Sequence, residues 1–266
     1  YYLPSEHGSW IWWMGPYLIG IAAARQWNAQ LLTLFIAMLA AFLIRHPLTI
    51  SVKTLSNRRT KNDRLPAVFW ACVYALVALA AFFVLLLSGF GRLIWLFLPG
   101  IPVFIWHLYL VSRRAERGQR GIEIVGSGVL ALAAPASYWV AGGDSTTLAG
   151  LLWGMTWFQS AASIVLVYQR LYERKLEARG TLPERFRRSS RSLAYHSFNL
   201  IMSMVVTSSV DIPWLVPTAF GVMWLDAADA VRSPAVGWKP TRIGLRQLIA
   251  SSVFMLLVAL GFLYKR

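Results

Sequence analysis

The sequence predicts an all-α fold, a polytopic membrane bundle of about nine transmembrane helices, and both composition and patterning point to it. The 266 residues are 57% hydrophobic and 14% charged, whereas soluble proteins average about 45–50% apolar and about 25% charged residues. The mean hydropathy is +0.54. Apolar runs of about 20 residues, the length that crosses a bilayer, recur along the chain without the alternation of outer-membrane barrel strands. The chain is therefore expected to lie in a membrane.

Nine apolar stretches are bounded by charged residues, glycine or proline, and each is predicted to be one span of a single transmembrane domain over residues 1–266. The spans lie near residues 9–24, 29–45, 66–89, 92–112, 121–141, 147–169, 193–210, 212–230 and 244–264. Pro99, Pro102 and Pro135 are expected to kink the fourth and fifth spans, because proline removes a helical hydrogen bond. No basic segment of a signal peptide precedes the first span, and the chain begins without Met, so the true N-terminus is expected to be missing.

The basic residues predict the orientation of the spans. All but four of the 26 Lys and Arg residues lie in the loops that follow spans two, four, six and eight, the exceptions being Arg25, Arg92, Lys265 and Arg266. Short basic loops stay on the cytoplasmic side, so the N-terminus is predicted inside and the C-terminus outside. Membrane lipids are the expected partners of these loops, because anionic head groups attract Lys and Arg there. Because the basic loops and lipid head groups account for the net charge of +15, this charge is not evidence for nucleic-acid binding, and no nucleic-acid partner is predicted.

Polar and ionisable side chains collect at the predicted cytoplasmic ends of the spans. A charge within a bilayer is costly, so each such group is a candidate for a functional site. All four histidines lie on this side, and Asp226 and Asp229 fall in the last turns of span eight. On span seven, His196, Asn199 and Ser203 share one helix face, which is expected to point into the bundle. Together these groups predict a pocket on the cytoplasmic side.

Ten residues form the candidate ligand-binding set of that pocket. Arg45 and Arg170 are assigned to an anionic head group, and His7 and His196 to hydrogen bonding or proton transfer near neutral pH. The set is His7, Arg45, His46, Arg170, Arg174, Tyr195, His196, Asn199, Asp226 and Asp229. The alternative is that these residues anchor helix ends at the membrane interface, where Tyr, His and Arg are common. No catalytic residue is assigned.

The sequence lacks the signatures of several other kinds of site. The single cysteine, Cys72, allows no disulfide within the chain, and it lies in an apolar helix where it is expected to be buried and inert. The four histidines have no local metal-ligand spacing, so no metal site is predicted. Tryptophans near span ends are expected to form an aromatic belt. They are Trp10, Trp12, Trp13, Trp214 and Trp238.

The first residues carry a family resemblance. The opening Leu3-Pro4-Ser5-Glu6-His7-Gly8-Ser9-Trp10 runs into an apolar helix and resembles the Pro-x-x-His-Gly-Ala-Trp opening of the YwiC-like family of bacterial membrane proteins. Ser9 stands where alanine is usual in that family. Further similar segments are Pro47-Leu48, residues 168–174, Tyr195-His196 and Arg242-Ile243-Gly244. The resemblance covers most of the chain and implies a location in the bacterial inner membrane, but it implies no particular mechanism.

The predicted architecture is also similar to that of the UbiA-type prenyltransferases, which have nine spans and long cytoplasmic loops after spans two and six. In those enzymes aspartate-rich motifs on both loops bind Mg²⁺, which grips a prenyl diphosphate. Here Asp63 is the single acid in loop 51–64. The loop after span six has Glu173, Glu177 and Glu184 but no aspartate pair. Mg²⁺ is therefore not expected. The resemblance implies a UbiA-like bundle with degenerate metal motifs, whose cavity takes an isoprenoid, quinone or lipid and whose basic residues hold an anionic or polar head group.

Three functions remain open at this point. The leading hypothesis is a membrane protein with the pocket described above, prenyltransferase-like if it is an enzyme. The second is a non-catalytic accessory or assembly subunit that binds other subunits of a larger membrane complex. The third is a transporter, for which inverted repeats and helices broken at the membrane midplane would be expected.

Overall fold

The computed structural model describes residues 7–56, 58–115 and 118–265, with side chains from residue 10 onward, and within these ranges every regular element is a helix. The helices are α1 (His7–Ala24), α2 (Ala29–Leu55), α3 (Arg64–Leu87), α4 (Leu93–Phe97), α5 (Gly100–Ser112), α6 (Arg120–Ala131), α7 (Ala133–Val140), α8 (Thr146–Glu173), α9 (Leu182–Ser209), α10 (Leu215–Arg232) and α11 (Pro240–Tyr264). Because α4 with α5 and α6 with α7 are broken spans, the described chain has nine helical segments, as the sequence predicts.

Six of these segments are long and apolar enough to cross a membrane. They are Ala29–Leu55, Lys61–Leu87, Leu93–Ser112, Arg120–Val140, Thr146–Glu173 and Pro240–Tyr264. The protein is therefore a multi-pass membrane protein.

Proline accounts for the two broken spans. A proline removes the hydrogen bond to the carbonyl four residues earlier and crowds that carbonyl. Pro102 acts in this way on Leu98, where α4 gives way to α5, and Pro135 acts on Ala131, the last residue of α6. The predicted kinks in spans four and five are confirmed.

Two helices extend beyond the predicted spans. Helix α2 continues past residue 45 to Leu55, and α9 begins at Leu182, well before residue 193. Arg and His are compatible with a helix that continues out of the hydrocarbon region, so a charged residue can end an apolar span without ending the helix. Helix α9 starts instead at a capping box, in which the Thr181 N–H donates to Glu184 Oε2 at 2.9 Å.

Helix α8 occupies the centre of the bundle, where it packs against α1, α6, α7, α9, α10 and α11. Helices α2 and α3 form a hairpin at one side. Helix α7 packs against both α2 and α8, and α1 packs against α7, α8 and α11. The outermost segments are α3 and α4–α5, whose most apolar stretches are only 11% and 6% buried, so these two segments present the most surface to lipid.

Two expectations about burial are corrected. Cys72 is exposed on the outward surface of α3, because an apolar helix in a membrane can turn its side chains to lipid instead of to protein. Trp13 is only 1% exposed and packs beside Trp10 and Phe42 in a core cluster, so it does not belong to an aromatic belt. Trp214 is exposed, as a belt residue should be.

Candidate functional site

A network of charged side chains centred on Asp226 lies at one end of the bundle, where α8 ends at Glu173, α10 ends at Arg232 and α11 begins at Pro240. We call this the basic end. Asp226 Oδ1 accepts hydrogen bonds from Arg170 Nη2 at 3.0 Å and from Arg246 Nε at 2.7 Å. Arg246 Nη2 also lies 2.7 Å from Asp229 Oδ2. Two carboxylates therefore engage two guanidinium groups, and the network joins α8, α10 and α11.

Arg170 is the buried member of this network, with 2% of its side chain exposed. Its Nη2 donates to both the side chain and the backbone carbonyl of Asp226. Its Nη1 has no hydrogen-bond acceptor within the described part of the chain. A guanidinium in a protein interior needs its carboxylate partner, because an uncompensated buried charge is strongly unfavourable.

A second network fastens the α10–α11 loop onto the end of α8. The buried carboxylate of Glu173 accepts from the Ala235 N–H at 3.1 Å through Oε2. The Gly237 N–H donates to the Arg174 carbonyl at 3.3 Å, and Arg174 Nε donates to the Trp238 carbonyl at 3.2 Å. These three bonds fix the loop and so position the Trp238 ring beside α11.

An open groove with a volume of about 410 Å³ runs between α10 and α11 from the basic end, and we call it the α10–α11 groove. Its apolar floor includes Leu245, Ile249 and Val253 of α11, and its polar rim includes Arg242 and Arg246. Leu245 and Ile249 are 59% and 56% exposed. The groove therefore combines an uncovered apolar surface with cations at one end.

A second hollow of about 460 Å³ adjoins the groove and shares Arg242 with it. Trp238 and Lys239 line this hollow. The Arg242 guanidinium lies over the Trp238 ring, 4.1 Å from its centroid, in a cation–π contact. Among the described side chains, neither Arg242 nor Lys239 has a carboxylate within ion-pair distance.

Four of the ten predicted site residues lie together at the basic end. Arg170, Asp226 and Asp229 belong to the charged network, and Arg174 holds the loop. Asp226 also lines the α10–α11 groove. Their role in ligand binding stays a prediction.

The predicted residues on α9 are divided between two environments. His196 and Asn199 are buried, with His196 Nδ1 2.8 Å from the Ser192 carbonyl and Asn199 Nδ2 donating to the Phe158 carbonyl at 2.9 Å. The face of α9 that carries His196 and Asn199 therefore points into the bundle, as expected. Tyr195 is 41% exposed and lies outside that face.

The remaining predicted residues lie on α1 and α2. Arg45 and His46 lie on α2, which packs mainly against α3, α5 and α7. The side chain of His7 lies outside the described residues.

Sequence reasoning missed Trp238, Arg242 and Arg246 as site residues. The signal available was spacing, because Arg242 and Arg246 are one helical turn apart and Ile249 and Val253 continue the same stripe. A basic residue pair that leads into an apolar stripe on one helix face is typical of a surface that meets both lipid head groups and tails.

No cluster of three or more His, Cys, Asp or Glu side chains that could hold a metal ion is found in the described residues. The two carboxylates of the basic-end network, Asp226 and Asp229, each have an arginine nitrogen within 3.0 Å, so both are engaged in ion pairs.

Comparisons with known proteins identify similar sequences. Residues 3–138 match the profile of a family described as YwiC-like protein. The chain is 23% identical over 268 residues to "Uncharacterized protein YwiC" of Bacillus subtilis (strain 168), and the alignment covers 97% of each chain. No solved structure matches the chain. The family profile therefore spans α1 to α7, and the longer alignment also includes the basic end.

Proposed function

The chain belongs to the YwiC-like protein family, and from that premise we propose that this membrane protein binds an amphiphile, namely an isoprenoid, a quinone or a lipid, at its basic end. The α10–α11 groove is the observation that carries the proposal. The tail would lie on Leu245, Ile249 and Val253, and the head group would lie beside Arg242 and Arg246. No reaction is assigned to the site.

The ionic rim, more than the apolar floor, would give such a site its selectivity. Within a bilayer the floor gains little from being covered by a particular tail, because lipid tails already surround it. A guanidinium group distinguishes head groups, since its charge-assisted hydrogen bonds depend on the charge and geometry of the acceptor.

The basic end would face the cytoplasm of the bacterial inner membrane. The support is the distribution of Lys and Arg in the sequence, because all but four of the 26 lie in the loops predicted after spans two, four, six and eight. The likeness to a UbiA-type bundle is part of the same proposal and rests on the nine helical segments. An experimental structure in which α2 and α8 do not face each other across a cavity would contradict that likeness.

The test of amphiphile binding compares two tryptophan variants on α11. Ile249→Trp fills the floor of the groove, whereas Leu256→Trp places the same bulk on an exposed residue outside the groove lining. Each variant and the parent protein are purified in a mild detergent, and the retained lipids are measured by mass spectrometry. We expect one amphiphile class to be enriched over bulk lipid in the parent and in Leu256→Trp and lost from Ile249→Trp. Equal retention in all three proteins would contradict the proposal.

A second candidate function, an accessory subunit of a membrane complex, is favoured by the outward segments α3 and α4–α5. Phe69 is 60% exposed and Trp95 is 72% exposed, so both could contact another membrane protein. Co-purification of a partner protein in a fixed ratio, unchanged in Ile249→Trp, with no enriched amphiphile would support this function instead.

A further inference from the structure

We infer that the head group in the α10–α11 groove is a phosphate ester, held directly by Arg242 and Lys239 without a divalent metal ion. The inference rests on the proposed function, since it names the head group of the same amphiphile. It narrows the possibilities from any isoprenoid, quinone or lipid to a phosphate-bearing lipid.

The first argument is the charge balance at the rim of the groove. Asp226 is engaged by Arg170 and Arg246, and Asp229 is engaged by Arg246. Among the described residues, Arg242 and Lys239 have no carboxylate partner. Two neighbouring cations without an anion create a positive potential, which a phosphate compensates and a neutral quinone head does not.

The second argument is the geometry of Arg242. Its guanidinium carbon lies 4.1 Å from the centroid of the Trp238 ring, a cation–π contact that holds the group in place without using its N–H groups. This arrangement suits bidentate hydrogen bonding to phosphate oxygens. Arg174 Nε donates to the Trp238 carbonyl and so holds Trp238 in place. Arg242 is therefore already positioned before a ligand binds, which reduces the entropy cost of binding.

Lys239 adds a second cation at the same place. It is the residue that precedes α11, three positions before Arg242, and both residues line the hollow beside the groove. The start of this helix is also the positive end of its dipole, which favours an anion. A phosphate near Arg242 would therefore meet two side-chain cations and the positive end of a helix.

The third argument concerns the tail, which distinguishes a lipid from free phosphate. From Arg242 to Val253 the helix rises about 16 Å, and the groove floor is apolar over that distance. A bound lipid could place its phosphate at Arg242 and a long chain along Leu245 and Ile249. Inorganic phosphate would leave this floor uncovered.

The binding test uses the purified protein in dodecyl maltoside, with and without EDTA, and four probes. They are hexadecyl phosphate, hexadecanol, decylquinone and inorganic phosphate, with binding followed by native mass spectrometry and confirmed by calorimetry. We expect hexadecyl phosphate to bind at least about tenfold more tightly than the other three, because a charge-assisted hydrogen bond contributes about 1.5–3 kcal/mol. Its affinity should fall as salt is raised, since the cations are exposed to solvent.

Matched variants test the residues. Arg242→Gln and Lys239→Gln should each weaken hexadecyl phosphate binding about tenfold. Arg242→Lys keeps the charge but loses the bidentate hydrogen bonds, so it should recover only part of the affinity that Arg242→Gln loses. Arg232→Gln removes the same charge from an exposed residue at the end of α10 that does not line the groove or the hollow, and it should bind as the parent does.

The possible failures are distinguishable. Suppose that hexadecanol or decylquinone binds as tightly as hexadecyl phosphate, and that Ile249→Trp prevents the binding of that probe and of hexadecyl phosphate. The inference is then wrong while the proposed function stands. The inference is also wrong if EDTA abolishes binding, if inorganic phosphate binds equally well, or if Arg232→Gln weakens binding as much as Arg242→Gln. If no probe binds in a way that Ile249→Trp prevents, the proposed function itself fails.

Discussion

At the scale of single residues, the charged network of the basic end is asymmetric. Arg170 is almost completely buried and its carboxylate partner is Asp226, whereas Arg246 is 31% exposed and can use either Asp226 or Asp229. Removing one partner of a buried ion pair costs about 3–5 kcal/mol because a desolvated charge is left uncompensated. An exposed ion pair contributes only about 0.2–1 kcal/mol. The two aspartates should therefore differ in their effect on stability.

We predict that Asp226→Asn destabilises the protein by about 3 kcal/mol or more, whereas Asp229→Asn costs about 1 kcal/mol or less because solvent screens that pair. The measurement is thermal unfolding of each purified variant in the same detergent. The double variant Arg170→Met with Asp226→Leu serves as a control, because it removes both charges and should recover much of the lost stability. Equal losses in the two single variants would show that Arg170 does not depend on Asp226.

At the scale of helices, the apolar pattern predicts where each helical segment lies in the sequence, but not whether its side chains contact protein or lipid. Nine apolar runs are recognisable because a helix that crosses lipid needs a long apolar sequence. Pro102 and Pro135 indicate where two of these helical segments are broken. The apolar pattern does not show that α2 and α9 extend beyond their spans, because a helix can continue into water when its backbone is capped, as it is at Thr181. Cys72 was misjudged because an apolar residue faces lipid as readily as it faces protein.

Adjacent residues on α3 test which side of that helix faces lipid. Ala71 is buried against the bundle and Cys72 is exposed. We predict that Ala71→Phe costs about 1–3 kcal/mol or more through overpacking, whereas Cys72→Phe changes the stability by about 0.5 kcal/mol or less. Thermal unfolding of the two purified variants measures the difference. If Cys72→Phe is the more damaging change, the outward position of this side of α3 is wrong.

At the scale of the whole molecule, the basic end is assembled from parts that are distant in sequence. Sequence reasoning found Arg170 and Asp226 because each is a charge within or near an apolar span. It could not find that Arg246 links them, or that the loop before α11 is fastened to Glu173, because those contacts depend on how α8, α10 and α11 pack. Trp238 was interpreted as an interfacial anchor for the same reason, since its contact with Arg242 arises only once the loop is fixed.

The basic loops also predict the orientation of the whole bundle in the membrane. Gly143 lies in the short link between α7 and α8, and Arg179 lies in the basic link between α8 and α9, at the opposite end of α8. Because Lys and Arg in short loops resist translocation, we predict that Arg179 is cytoplasmic and Gly143 is outside. A reporter enzyme that is active only outside the inner membrane should therefore be active when fused after Gly143 and inactive when fused after Arg179. The reverse result would place the α10–α11 groove at the outer leaflet, where its head group would have to come from lipids exposed on that side.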